Sequence, residues 1–239
     1  MDWPVHEHAH AHASHALSHK DRSDPSPCAQ LRLGLAERIG VPHCHLLPRA
    51  TDALLLAARL LFSPALGERA LYPGDEALAL YDGGEIAAAI SACGGCPVPV
   101  QGDTSEADLG RALEAALSPA TRAVAVGDLP DCHEKMQTVR NFCNKYDLWM
   151  VESIHTVTDA VHTVCGALYR AGAVGDWSCL DLSALGIAGG ALLIRDDFIN
   201  RLALERLADA FDEKSAQTGC ENLQKLCQGT SDEMGGACL

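Results

Sequence analysis

Short apolar runs alternate with longer helical segments through the middle of this chain, and that alternation most limits the folds open to it. Thr51 to Phe62 (TDALLLAARLLF) opens on a residue suited to cap a helix and continues as a strongly apolar helix. A turn at Pro73-Gly74-Asp75 leads into a short buried strand, Ala77 to Tyr81. Glu85 to Ala92 reads as a helix stopped by Gly94-Gly95, and Val98 to Val100 as a strand. Ser105 to Leu117 is an amphipathic helix with a serine start and acidic residues in its first turn. Strand Arg122 to Val126, helix Glu134 to Lys145 and strand Leu148 to Val151 follow. Ser178 to Leu182 and Ala191 to Ile194 are further strands, and Phe198 to Phe211 is a long exit helix. Strands separated by helices connect by right-handed crossovers, so the expectation is a three-layer α/β domain on a mostly parallel sheet, spanning residues 28–212.

The remaining segments cannot build a core. Residues 1–27 are a His-, Ala- and Ser-biased tail that closes on Asp24-Pro25-Ser26-Pro27, and 213–239 are rich in Gln, Gly, Ser and Cys. The 239 residues are 48% hydrophobic, enough for one sizeable core. With 18 Lys and Arg against 32 Asp and Glu, the net charge is −14. A chain this acidic without a basic stripe is not expected to bind nucleic acid. No apolar run is long enough to span a bilayer, so no membrane insertion is expected. The opening Met1-Asp2-Trp3-Pro4 lacks the basic and apolar regions of a secretory leader. The 11 cysteines are therefore expected to be reduced thiols in a cytoplasmic protein.

Four groups of residues invite a metal reading. His6, His8, His10, His12, His15 and His19 alternate with small residues, and neutral imidazoles at that spacing can ligate Zn or Ni. His6, His8, His10 and His12 are the candidate ligands; a tract without selected function is the plainer alternative. His43-Cys44-His45 and Cys93-Gly94-Gly95-Cys96 have ligand-like spacing, but the latter is a single C-x-x-C with no paired second half, and neutral thiols are expected there. Glu152, His155, Asp159 and His162 could gather after one strand, where a remnant polar pocket is expected rather than a metal site.

Several segments resemble the DegT/StrS family of sugar aminotransferases, with the closest likeness to its CDP-4-keto-6-deoxyglucose 3-dehydrase branch in lipopolysaccharide sugar pathways. They are residues 63–76 (SPALGERALYPGDE), 117–123 (LSPATRA), 141–152 (NFCNKYDLWMVE), Gly175-Asp176 and Gly189-Gly190-Ala191, in the family's order. The resemblance implies the large domain of a fold-type-I pyridoxal-phosphate (PLP) transferase, without the small domain that follows in the family. It also implies PLP or pyridoxamine phosphate (PMP) as the ancestral cofactor, and a homodimer or a heterodimer with a related enzyme.

Residue by residue, the resemblance implies a degenerate site. The phosphate loop falls on Ala50-Thr51-Asp52-Ala53, where Thr51 keeps a hydroxyl and Asp52 sets a like charge beside a phosphate. The aromatic that stacks on the cofactor ring falls on Gly84, after Gly83. The acid that pairs with the ring nitrogen falls on Ser153. The family's base falls within Ser183-Ala184-Leu185-Gly186-Ile187-Ala188, which holds neither Lys nor His. The dehydrase branch's iron–sulfur cysteines fall on His155, Lys214, Ala216 and Gln224. Thr51, Gly83 and Ser153 are thus vestigial cofactor positions, no catalytic residue is assigned, and no cofactor is expected to be bound. The expectation is a catalytically inactive partner or remnant of a deoxysugar or lipopolysaccharide pathway. The alternative is a metal-handling protein that uses the His-rich tail and thiols.

Overall fold

The computed structural model describes residues 27–81, 84–101, 106–127, 133–154, 161–164, 167–170, 172–185 and 187–210. The chain enters through helix α1 (Pro27–Ile39), edge strand β1 (His43–Leu47) and helix α2 (Ala50–Leu61). A 3₁₀ segment (Pro64–Arg69) leads to β2 (Glu76–Leu80), α3 (Gly84–Ala92), β3 (Cys96–Val100), α4 (Glu106–Ala116) and β4 (Thr121–Val126). Then come α5 (His133–Tyr146), β5 (Trp149–Ile154), the antiparallel pair β6 (Val161–Val164) and β7 (Ala167–Arg170), and β8 (Trp177–Asp181). A 3₁₀ turn (Leu182–Leu185), β9 (Gly190–Ile194) and α6 (Asp197–Ala210) complete the described chain.

Seven strands form one sheet in the order β1-β9-β8-β5-β4-β2-β3. The β3, β2, β4, β5 and β8 ladders are parallel, and β9 is antiparallel to both of its neighbours. The near-continuous apolar content of the central strands follows, since each is covered on both faces. Alternate residues sort onto those faces. Ala123, Ala125, Trp149, Val151, Trp177, Cys179, Leu192 and Ile194 meet α2, α3 and α6. Val124, Val126, Met150 and Leu78 meet α4 and α5, while Leu180, Ala191 and Leu193 meet α1. The result is the three-layer α/β architecture expected from the alternation.

One sheet edge is protected by its own sequence. Cys96 donates its N–H to Asp75, toward the β2 side, so residues 97 and 99 of β3 aim their nitrogens outward. Both are proline, and this stretch of edge therefore offers no N–H to an incoming strand.

Several boundaries differ from the sequence reading. Helix α1, strand β1 and the β6–β7 pair carry too little periodicity to be recognised alone. Helix α2 begins at Ala50, not at a Thr51 cap. Arg49 takes the cap position with extended backbone (φ −137°, ψ 149°) and no side-chain cap bond, and Thr51 lies exposed in the first turn. Strand β2 starts at Glu76 and ends at Leu80, because Tyr81 turns the chain with φ +53°.

Candidate functional site

Open parallel sheets bind ligands beyond the carboxyl ends of their strands, where helix N-termini point inward. Here α2 follows directly on β1 and lays its first turn across β9. Gly190 makes this approach feasible: a Cβ there would lie 2.7 Å from Ala50 Cα and 3.0 Å from the Arg49 carbonyl oxygen. The Cys179 thiol donates to the Ala53 carbonyl at 3.4 Å, which ties β8 to the same turn. Ser153 is in register with Cys179 on the neighbouring strand β5 and is 1% exposed. Thr51 lies in the first turn of α2, and Ser153 lies on β5, one strand away from the Cys179 that bonds that turn. Gly83 lies outside the described residues.

The first turn of α2 already holds its own anion. Arg49 Nη2 donates to Asp52 Oδ1 at 2.7 Å, and Arg49 Nε donates to Asp52 Oδ2 at 3.1 Å. The Asp52 carboxylate thereby offsets the positive end of the helix dipole. Sequence reasoning singled out Asp52 but missed Arg49. The signal was the Arg-x-x-Asp spacing across a helix start. At the end of β8, Asp181 Oδ1 accepts the Ser183 N–H at 2.8 Å and closes the 3₁₀ turn.

A PLP-type cofactor would ask this edge for phosphate donors free of competing charge, an acid at the ring nitrogen and a nitrogen base. The side chains present do not fit. A paired carboxylate stands in the first turn of α2, a neutral hydroxyl stands at Ser153, and Leu182-Ser183-Ala184-Leu185-Gly186-Ile187-Ala188 contains no base.

Glu152, expected to belong to a remnant polar pocket, is instead a structural acceptor. It is one residue from Ser153 and so faces the opposite side of the sheet. Its carboxylate is 3% exposed and accepts N–H bonds from Gly172 (3.1 Å), Val174 (3.0 Å) and Gly175. Burial pushes its pKa up, while the three backbone donors and the Ser178 hydroxyl oppose the shift. The other members of that expected cluster, His155 and Asp159 and the His162 side chain, lie outside the described residues.

The His43-Cys44-His45 spacing is likewise split by strand alternation. His43 Nε2 bonds Asp197 Oδ1 at 2.6 Å, and His45 Nε2 bonds Asn200 Oδ1 at 2.6 Å, so both imidazoles clamp α6 onto β1. Burial lowers the His45 pKa, with the Asn200 bond opposing and His43 and Arg32 adding to the shift. Cys44 points into the opposite layer, where burial pushes its thiol up to about 12. Cys93 and Cys96 are free thiols, half-buried and exposed. Among the described residues, no group of three or more His, Cys, Asp or Glu could hold a metal. His6, His8, His10, His12, Lys214, Ala216 and Gln224 lie outside the described residues. Among those described, no helix is long and apolar enough to cross a membrane.

No protein-family profile matches the chain. Over 197 residues it is 29% identical to the lipopolysaccharide biosynthesis protein RfbH of Salmonella typhimurium, covering 79% of this chain and 43% of that protein. It therefore spans less than half the length of that relative. The crystal structure of NtdA from Bacillus subtilis with bound PMP superposes with a TM-score of 0.58 at 20% identity, covering 86% of this chain and 49% of NtdA. A Thermus thermophilus aspartate aminotransferase mutant superposes with a TM-score of 0.59 at 18% identity, covering 97% of this chain and 63% of the enzyme. The chain is thus similar in sequence to a lipopolysaccharide biosynthesis protein, in keeping with the likeness to the DegT/StrS family, and it has the fold of the fold-type-I PLP aminotransferases.

Proposed function

We propose that this chain does not run a PLP- or PMP-dependent reaction by itself and acts as a non-catalytic partner in a sugar-modifying pathway, paired with a second copy or with a related enzyme. The observation that carries this reading is the Arg49–Asp52 pair in the first turn of α2. A phosphate dianion brought to that helix start would meet a carboxylate that already uses the helix field and the nearest guanidinium. Ser153 and the base-free segment after β8 support the same reading, because a ring seated there would gain neither its acid partner nor a proton carrier.

The test is retention of cofactor. Purified chain is equilibrated with excess PLP, passed through a desalting column and scanned for cofactor absorbance. The expected result is no stoichiometric cofactor in the protein fraction. One cofactor retained per chain would overturn the proposal.

A second reading rests on the sequence of the tail, where His6, His8, His10 and His12 alternate. If the tail handles metal, calorimetry with Zn or Ni gives a binding isotherm for the full chain that disappears when residues 1–27 are deleted. Equal, weak heats from both proteins would dismiss it.

A further inference from the structure

The parallel strands have a second pole. Beyond the amino ends of β5 and β8 lies a cleft of about 620 Å³, at the opposite end of the strands from the cofactor-type edge. Three arginines from distant parts of the sequence line it: Arg69 at the end of the first 3₁₀ segment, Arg140 on α5 and Arg195 after β9. The chain has only 18 basic residues against 32 acidic ones, so three guanidiniums in one cleft stand out from an acidic background.

The two carboxylates that line the cleft are already engaged. Asp176 Oδ2 accepts the Met150 N–H at 2.8 Å and lies 3.1 Å from Arg140 Nη1. Asp196 Oδ1 accepts the N–H groups of Phe198 (2.8 Å) and Ile199 (3.0 Å) at the start of α6. Arg195 is exposed and donates to the Ala173 carbonyl, and among the described residues no carboxylate comes within ion-pair distance of it. Arg69 lies 3.6 Å over the Trp149 ring. Its Nε is buried and ion-pairs with Asp147 Oδ1 at 3.2 Å, while the side chain as a whole keeps 34% of its surface exposed. Phe198, 40% exposed, adds an apolar wall.

From this the geometry points to a binding site for a small multivalent oxyanion, a phosphate ester or a polycarboxylate, gripped by Arg195 and Arg69. Arg140 is held by Asp176 and serves as the fixed floor. Guanidinium forks suit both anion classes, since each offers paired oxygen acceptors. An anion bound against the Arg69 guanidinium also changes the field over the Trp149 ring, which makes the site report its own occupancy.

The experiment titrates the full chain separately with inorganic pyrophosphate and with citrate, read by calorimetry and by tryptophan fluorescence. The expected result is one saturable site per chain with a matching fluorescence change. Arg195→Gln, at an exposed position, is expected to weaken binding about tenfold or more, as for loss of a charge-assisted bond. Arg111→Gln, on the exposed face of α4, leaves it unchanged. Tighter binding of pyrophosphate identifies phosphate esters as the source, and tighter binding of citrate identifies polycarboxylates. Absence of saturable binding for both anions overturns the inference, as does an affinity that survives in both Arg195→Gln and Arg69→Gln.

Discussion

Glu152→Ala is expected to lower the unfolding free energy by about 3–5 kcal/mol, because it strands several buried N–H donors at ~1–3 kcal/mol each. The donors are Gly172, Val174 and Gly175, all of which converge on this one carboxylate. The Ser178 hydroxyl lies 3.4 Å from Glu152 and donates to the Gly172 carbonyl at 3.0 Å. A Cβ at position 175 would lie 3.0 Å from the Glu152 carboxylate and from the Trp177 carbonyl, so glycine is what lets this N–H approach the acceptor so closely. The loss is a large share of the ~5–15 kcal/mol typical of a domain, so Glu152→Gln provides the graded companion. Its amide keeps one acceptor oxygen for two of the donors and sets an NH₂ against the third.

The pH dependence separates the two effects of that residue. The folded pKa of Glu152 is raised by burial. Its contribution is therefore complete below the unfolded glutamate pKa and declines as pH rises through the folded value. Glu152→Gln removes this decline, so its cost relative to wild type is expected to shrink from acid toward neutral pH. Urea unfolding of the three proteins across that window provides the measurement. An alanine variant within 1 kcal/mol (about the value of a single hydrogen bond) of wild type would mean that the carboxylate does not organise the 172–175 loop.

Gly190→Ala is expected to cost about 2–3 kcal/mol, at the upper end of ordinary overpacking. The added methyl would meet Ala50 Cα at 2.7 Å, Arg49 O at 3.0 Å and Ala50 N at 3.1 Å. All three are backbone atoms, so no rotamer change relieves the contact. Either β9 or the start of α2 must move, and with it the Arg49–Asp52 pair. Hydrogen exchange is expected to speed up at the first-turn amides of α2, while the central strands β4 and β5 keep their protection. Gly34→Ala, in the middle of α1 with nothing within 4 Å of its Cβ position, is the contrast. There the helix gains about 0.5–1 kcal/mol from the better helix former. If both alanines behave alike, the close approach of β9 to α2 does not constrain this edge.

These variants act at places the sequence shows unevenly. Central strands such as Thr121–Val126 and Trp149–Ile154 were legible because burial on both faces demands unbroken apolar runs. Helices α2, α4 and α5 were legible from their periodicity and acidic first turns. Strand β1 was not, since His43 and His45 look like ligands until α6 supplies Asp197 and Asn200 as their partners. Glu152 was misread for a similar reason: its donors lie 20 or more positions later in the chain.

What the amino-acid order carried unaided was the α/β class and the family likeness, with the expectation drawn from that likeness that Thr51, Gly83 and Ser153 are vestigial cofactor positions. Those are matters of local period and side-chain identity, and each can be read without knowing what lies opposite. Tertiary structure alone decided which polar groups are consumed by the fold and which remain to meet a ligand. It set Asp52 against Arg49, enclosed Glu152 in backbone donors, and drew Arg69, Arg140 and Arg195 into one cleft. A hydrogen bond is satisfied by whatever the chain brings within about 3 Å, and that choice is made by packing between residues far apart in sequence.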